Sequence, residues 1–189
     1  MTLFSDELTV AGVRLELLRP SSPEALIDEE AFADDEFLPY WAELWPAARR
    51  LAEALPNVDG LRVVELGCGL ALPSLVAAAR GASVTATDWS SEAIELLGDN
   101  AARNGLEVRA EMRDWRTPWD ERFDLALAAD VLYERRNVEP VLERLSEISP
   151  VALVALAGRP YEDAFIQLAE SSGKRVEQLG QLVRLSEER

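Results

Sequence analysis

The residues with the clearest chemical content in this sequence are carboxylates and glycines placed where apolar runs end. Glu65-Leu66-Gly67-Cys68-Gly69-Leu70-Ala71 closes one such run. Glycines there let the backbone turn tightly and approach a ligand, with helix N–H groups pointing at it. Asp88 ends the next run, the position from which a carboxylate accepts both ribose hydroxyls of a nucleoside. Asp114-Trp115 and Asp130-Val131-Leu132-Tyr133 follow later runs. A glycine pair alone serves strand-to-helix packing as readily as ligand binding. The acids around it favour a ligand.

Two nucleoside ligands compete for such a loop. A dinucleotide site wants a small residue three positions after the second glycine, where Leu72 stands here. It also places an anionic pyrophosphate on the helix N-terminus, and an anion gains nothing beside Glu65. A cationic, amino-acid-bearing nucleoside such as S-adenosylmethionine is attracted by that carboxylate. The methyl-donor reading wins.

Composition removes several other chemistries. The 189 residues include no histidine and one cysteine. That excludes Ser-His-Asp mechanisms and an internal disulfide, and it argues against zinc or transition-metal ligand sets, so no metal is expected. A net charge of −16 opposes nucleic-acid binding, which needs clustered Lys and Arg. No apolar run is long enough to span a membrane. Residues 1–10 carry acids and no basic lead-in, so neither membrane nor secretion is expected and the location is read as cytoplasmic. Cys68, with no base near it in sequence, reads as a small hydrophobe rather than a nucleophile.

The elements that must position these residues follow from periodicity. Alternation around Ala11-Gly12 predicts a β-hairpin. Residues 20–48 then hold eight acids and no base, interspersed with Phe32, Phe37, Leu38, Tyr40, Trp41 and Trp45. So many aromatics need somewhere to pack. One expectation for this segment is a lid that attracts a cationic substrate; the other is a solvated acidic surface. Pro46 suits a first helical turn, and Leu51, Ala54 and Leu55 share a helical face. From 61 onward strands (61–66, 83–87, 107–112, 123–128, 151–156) alternate with helices (73–80, 90–104, 138–147, 161–171). An antiparallel pair about Gly180 ends the chain. The expected fold is α/β: a Rossmann-like, doubly wound, mostly parallel seven-stranded sheet, with an N-terminal β-hairpin and helical segment. One domain is expected, with 1–56 as hairpin and substrate-side segment and 57–189 as core. Every candidate residue then falls at a strand's carboxyl end, where such sheets bind ligands.

In order and spacing, Glu65-Leu-Gly-Cys-Gly, Thr87-Asp88, Asp114-Trp115 and Asp130-Val-Leu-Tyr133 resemble the class I methyltransferases. More narrowly they are similar to methyltransferase family 16, the seven-β-strand lysine methyltransferases. The resemblance covers roughly residues 38–161 and includes Pro39-Tyr40-Trp41-Ala42-Glu43-Leu44-Trp45-Pro46. It implies S-adenosylmethionine as donor and S-adenosylhomocysteine as product. Gly67, Cys68 and Gly69 would form the loop against its methionine part, with Glu65 facing the ammonium. Asp88 would bind the ribose, Trp89 would lie against the adenine, Asp114 would accept from its amino group and Trp115 would pack on the ring. Ala129 and Asp130 would close the site near the transferred methyl, and Trp45 would wall it. Ala71 departs from the third glycine of many members. Trp45 and Trp115 are also open to a plain packing role, and Asp114 to a turn or cap role. Asn100 and Asn104 read as helix-end and loop support.

Asp130 and Tyr133 are the candidates to hold an acceptor amine. The implied function is N-methylation of a protein lysine. A small-molecule amine acceptor and a non-catalytic donor-binding protein are the alternatives, and residues alone do not give the oligomeric state.

Overall fold

The computed structural model describes residues 2–21 and 39–187. Of the acid-rich segment 20–48, to which the lid expectation belongs, residues 22–38 lie outside the described residues. Strands β1 (Leu3–Val10) and β2 (Val13–Pro20) form an antiparallel hairpin. Its two turn residues, Ala11 (φ 49°) and Gly12 (φ 80°), both adopt positive φ, as a two-residue turn matching strand twist requires. A single 3₁₀ turn, Tyr40–Ala42, leads into α1 (Pro46–Glu53) with Pro46 in its first turn. Among the described residues no helix is long and apolar enough to cross a membrane.

The rest alternates: β3 (Arg62–Leu66), α2 (Leu72–Ala79), β4 (Ser83–Asp88), α3 (Ser91–Arg103), β5 (Val108–Met112), β6 (Leu125–Ala129), α4 (Val138–Ile148), β7 (Val151–Ala155), α5 (Glu162–Ser171), β8 (Lys174–Leu179) and β9 (Leu182–Glu187). The seven strands lie in the order β5-β4-β3-β6-β7-β9-β8. Only β9 runs against its neighbours. Period-two alternation assigns the two faces. Val63, Leu125 and Leu127 join the hairpin and α1–α3 in one core, while Val64, Ala126 and Ala128 join α4 and α5 in the other. The chain winds one way from β3 to β5 and returns through β6 and β7, so the crevice between the carboxyl ends of β3 and β6 is the switch point.

Asn100 and Asn104 do more than support a helix end. Asn100 Oδ1 accepts from Leu18 N at 2.6 Å and its Nδ2 donates to Leu18 O at 3.0 Å. Asn104 repeats the exchange with Glu16 at 2.8 and 2.7 Å. Four residues of helix rise about 6 Å and two of strand about 6.6 Å, so the two amides match the free edge of β2 and dock the hairpin on α3. Asn100→Ala leaves a buried N–H and C=O unpartnered, at about 1–3 kcal/mol each. Thermal denaturation is expected to fall by roughly 5–12 °C, against a smaller loss for Asn104→Ala at the half-buried pair. Equal losses would contradict this account.

Candidate active site

The expected donor half is built on the β3–α2 turn. Gly67 (φ 61°), Gly69 (φ 51°) and Ala71 (φ 55°) all lie in the left-handed region. A Cβ on Gly67 would stand 2.8 Å from Trp115 Cζ3 and 3.2 Å from Val131 Cγ1, and one on Gly69 would stand 3.1 Å from the Trp41 carbonyl. The two positions are therefore tied to glycine by conformation and by space. Ala71 bears the same conformation with a side chain, a strain of about 1–2 kcal/mol. Ala71→Gly is expected to raise the thermal midpoint by about 1–3 °C after the added unfolded-chain entropy is subtracted; no change or a fall would show that the loop is not strained there.

Two buried carboxylates frame this turn. Glu65, buried at the end of β3, accepts both the N–H (3.0 Å) and the hydroxyl (2.5 Å) of Ser74 on one oxygen. Burial dominates, and its carboxyl is pushed up to about 8, with Asp88 adding to the rise. Asp88, the last residue of β4, accepts from Gly69 N at 2.9 Å and from Ser90 N at 3.0 Å. Its carboxyl is also raised by burial, against the pull of those bonds. Cys68 between them is held as a thiol by burial and by both acids, so it carries no nucleophilic role. Asp114 differs. Arg116 clamps its carboxylate through Nε at 2.8 and 2.9 Å and through its backbone N–H at 2.8 Å. That pairing holds it below the usual carboxylate range.

Facing the loop is a second half that sequence placed less completely. Asp130 follows β6 with φ 54°, and its N–H extends the β6–β7 ladder to Ala155 O at 3.0 Å. Its two carboxylate oxygens receive Arg159 Nε at 2.7 Å and Nη2 at 2.8 Å. Arg159 was not among the expected site residues. Its guanidinium also lies 5.5 Å from the Trp45 ring centre. Trp45 Nε1 donates to Tyr40 O at 2.7 Å, and the Tyr40 ring stands 5.1 Å from Tyr133. The Tyr133 hydroxyl, pushed up to about 12 chiefly by burial and then by Glu134 and Asp88, stays a neutral phenol.

Trp45, Glu65, Gly67, Cys68, Gly69, Asp88, Trp89, Trp115, Ala129, Asp130 and Tyr133 thus line one cleft, together with Ala71 of the same loop and with Tyr40 and Trp41, to which the sequence assigned no site role. Asp114 lines an adjoining pocket that shares Tyr40, Trp89, Trp115 and Tyr133 with it. Among the described residues no three His, Cys, Asp or Glu side chains stand together as a metal site requires. The glycine cradle, the buried acids and the two flanking tryptophans fit an adenosyl amino acid in shape and charge.

The lysine methyltransferase family model matches residues 42–172, more than half of the chain. The protein N-lysine methyltransferase METTL21A of Danio rerio is 33% identical over 128 residues, covering 61% of this chain and 58% of that protein. A ubiquinone biosynthesis O-methyltransferase of Brucella anthropi is 32% identical over 102 residues, covering 52% and 41%. The chain spans about half the length of these curated relatives. Among solved structures, the T. thermophilus 16S rRNA N2 G1207 methyltransferase in complex with AdoMet and guanosine superposes with a TM-score of 0.67 at 17% identity, over 99% of this chain and 51% of that one. At that identity the likeness shows the fold. With the family match, the chain belongs to the lysine methyltransferase family, on a Rossmann-like fold shared with that solved methyltransferase.

Proposed function

We propose that this chain is an S-adenosylmethionine-dependent N-methyltransferase acting on a protein lysine. One observation carries the reading: a glycine-and-acid half and an aromatic half containing Asp130 face each other across one cleft. In the donor half, Gly67 and Gly69 give the methionine part access to backbone, Glu65 answers its ammonium and Asp88 takes the ribose hydroxyls. Trp89 and Trp115 flank the adenine. Asp114 has lone pairs beyond those Arg116 uses, enough for the adenine amino group.

When bound, the donor supplies its sulfonium methyl: the S–CH₃ bond breaks as an N–CH₃ bond forms, and the electron pair stays on sulfur. Alignment and exclusion of water then supply most of the acceleration. A lysine amine, with a reference pKa near 10.4, must lose its proton before attack. Asp130 and Tyr133 hold the amine by hydrogen bonds. Tyr133, neutral up to about 12, orients and does not act as base. The proton leaves through water. Trp45 and Ala129 close the site around the methyl.

A small-molecule acceptor is the second reading, favoured by the similarity to an O-methyltransferase of ubiquinone biosynthesis. Nucleic acid is disfavoured by the net charge of −16, and a cytoplasmic, membrane-free setting goes with the reading. The test is tritium transfer from labelled donor into a lysate, with and without protease, followed by mass spectrometry of labelled peptides. Protease-sensitive label on lysine is expected. Label in small molecules would overturn the protein acceptor, and donor binding with no transfer to either would overturn catalysis.

A further inference from the structure

We propose that Arg159 is a positioning residue for methyl transfer, acting through Asp130 to keep the acceptor amine neutral; this rests on the amine-acceptor reading above. Three observations converge on it. The Arg159 fork closes on both oxygens of Asp130 at 2.7 and 2.8 Å, a bidentate geometry that fixes the carboxylate plane. Asp130 itself is held at φ 54° and is buried, so its carboxylate is presented from a fixed backbone position away from bulk water. Arg159 Cζ also lies over the Trp45 ring, 5.5 Å from its centre, which ties the loop after β7 to the segment before α1.

The charge arrangement gives this clamp a consequence. The acids facing the cleft are Glu43, Glu65, Asp88 and Asp130, with the phenols of Tyr40 and Tyr133 beside them. Glu134 acts on Tyr133, and Glu162 on α5 acts on Arg159 from behind. A bare Asp130 among these groups would bind a lysine as its ammonium, the form with no lone pair to attack the methyl. Paired with Arg159, Asp130 becomes half of a neutral unit. Its remaining lone pairs still accept one N–H and aim the nitrogen, while the guanidinium opposes a second positive charge. Arg159 thus lowers the proton affinity of the bound amine.

The experiment compares wild type, Arg159→Gln and Arg159→Lys. Tritium transfer is followed from pH 6.5 to about 9.5 into the protease-sensitive acceptor fraction of a lysate, with saturating donor. Binding of S-adenosylhomocysteine by calorimetry reports the fold and the donor half, and is expected to stay within about twofold in all three. In Arg159→Gln the rate near neutral pH is expected to fall at least tenfold and to recover as the profile moves one to two pH units upward, the order of a unit charge at about 6 Å. The acceptor concentration giving half-maximal rate is expected to stay level or fall. Arg159→Lys keeps the charge without the fork, so its profile should stay near wild type at a lower maximum. A uniform loss in Arg159→Gln with an unmoved pH profile would overturn the positioning role while leaving the amine acceptor standing. Absence of transfer by wild type to any amine would overturn both.

Discussion

Donor-free protein is expected to lose thermal stability as pH rises from about 5 to about 8.5, and saturating S-adenosylhomocysteine is expected to flatten that slope. The cause is Glu65, whose carboxyl is pushed from its ordinary 4.5 up to about 8 by burial. In this window the folded state holds a proton that the unfolded chain has released. Stability therefore falls with rising pH and levels off above the folded value. At 1.36 kcal/mol per pH unit across this window the cost is about 5 kcal/mol, or roughly 10–20 °C in a chain of this size. Asp88, also raised by burial, adds in the same direction, so Glu65→Gln isolates the share due to Glu65. That variant should be more stable than wild type near pH 8, with a flatter slope. It should also bind S-adenosylhomocysteine about ten- to a hundredfold more weakly, the value of a charge-assisted hydrogen bond. Because the ligand's ammonium favours the ionised carboxyl, binding at pH 7 should release up to one proton, read as a dependence of calorimetric heat on buffer ionisation. Heats independent of buffer, or a slope unchanged in Glu65→Gln, would remove Glu65 from the donor site.

The fold was legible because its signals are local. Continuous apolar runs such as 125–129 and Gly or Pro punctuation mark the strands and helices to within a residue or two. The donor half was legible for the same reason, since each of its residues sits at the end of one of those runs. What escaped depends on tertiary distance. Arg159 is a single arginine after a strand, and nothing local separates it from an exposed one. The only available signal was that Gly158-Arg159-Pro160 leaves β7 at the sheet edge where Asp130 leaves β6. Asn100 and Asn104 are spaced for a helix face, but their partners lie on a strand more than 80 residues away. Asp114 shows the reverse case: its clamp, Arg116, stands two residues on, and a local turn was already an open reading.

The cradle at Gly67 gives the sharpest test of the donor half. Alanine there places a methyl 2.8 Å from Trp115 Cζ3 and 3.2 Å from Val131 Cγ1, and it must also hold φ 61°. The backbone strain is about 1–2 kcal/mol, modest against the stability of a domain. The steric demand falls on Trp115, because Val131 is locked in the core beside α4 while the indole edge faces the cleft. The ring must swing away from the position in which it would flank the adenine in the proposed site. Gly67→Ala should therefore cost far more in donor binding than in folding: at least a hundredfold in affinity, against a fall of only about 2–6 °C in thermal midpoint. Trp115→Ala in the Gly67→Ala background discriminates the cause. It removes the clash, so the second substitution should cost little beyond the first, where two independent losses would add. Full additivity would show that Gly67 acts through backbone approach alone and not through the indole.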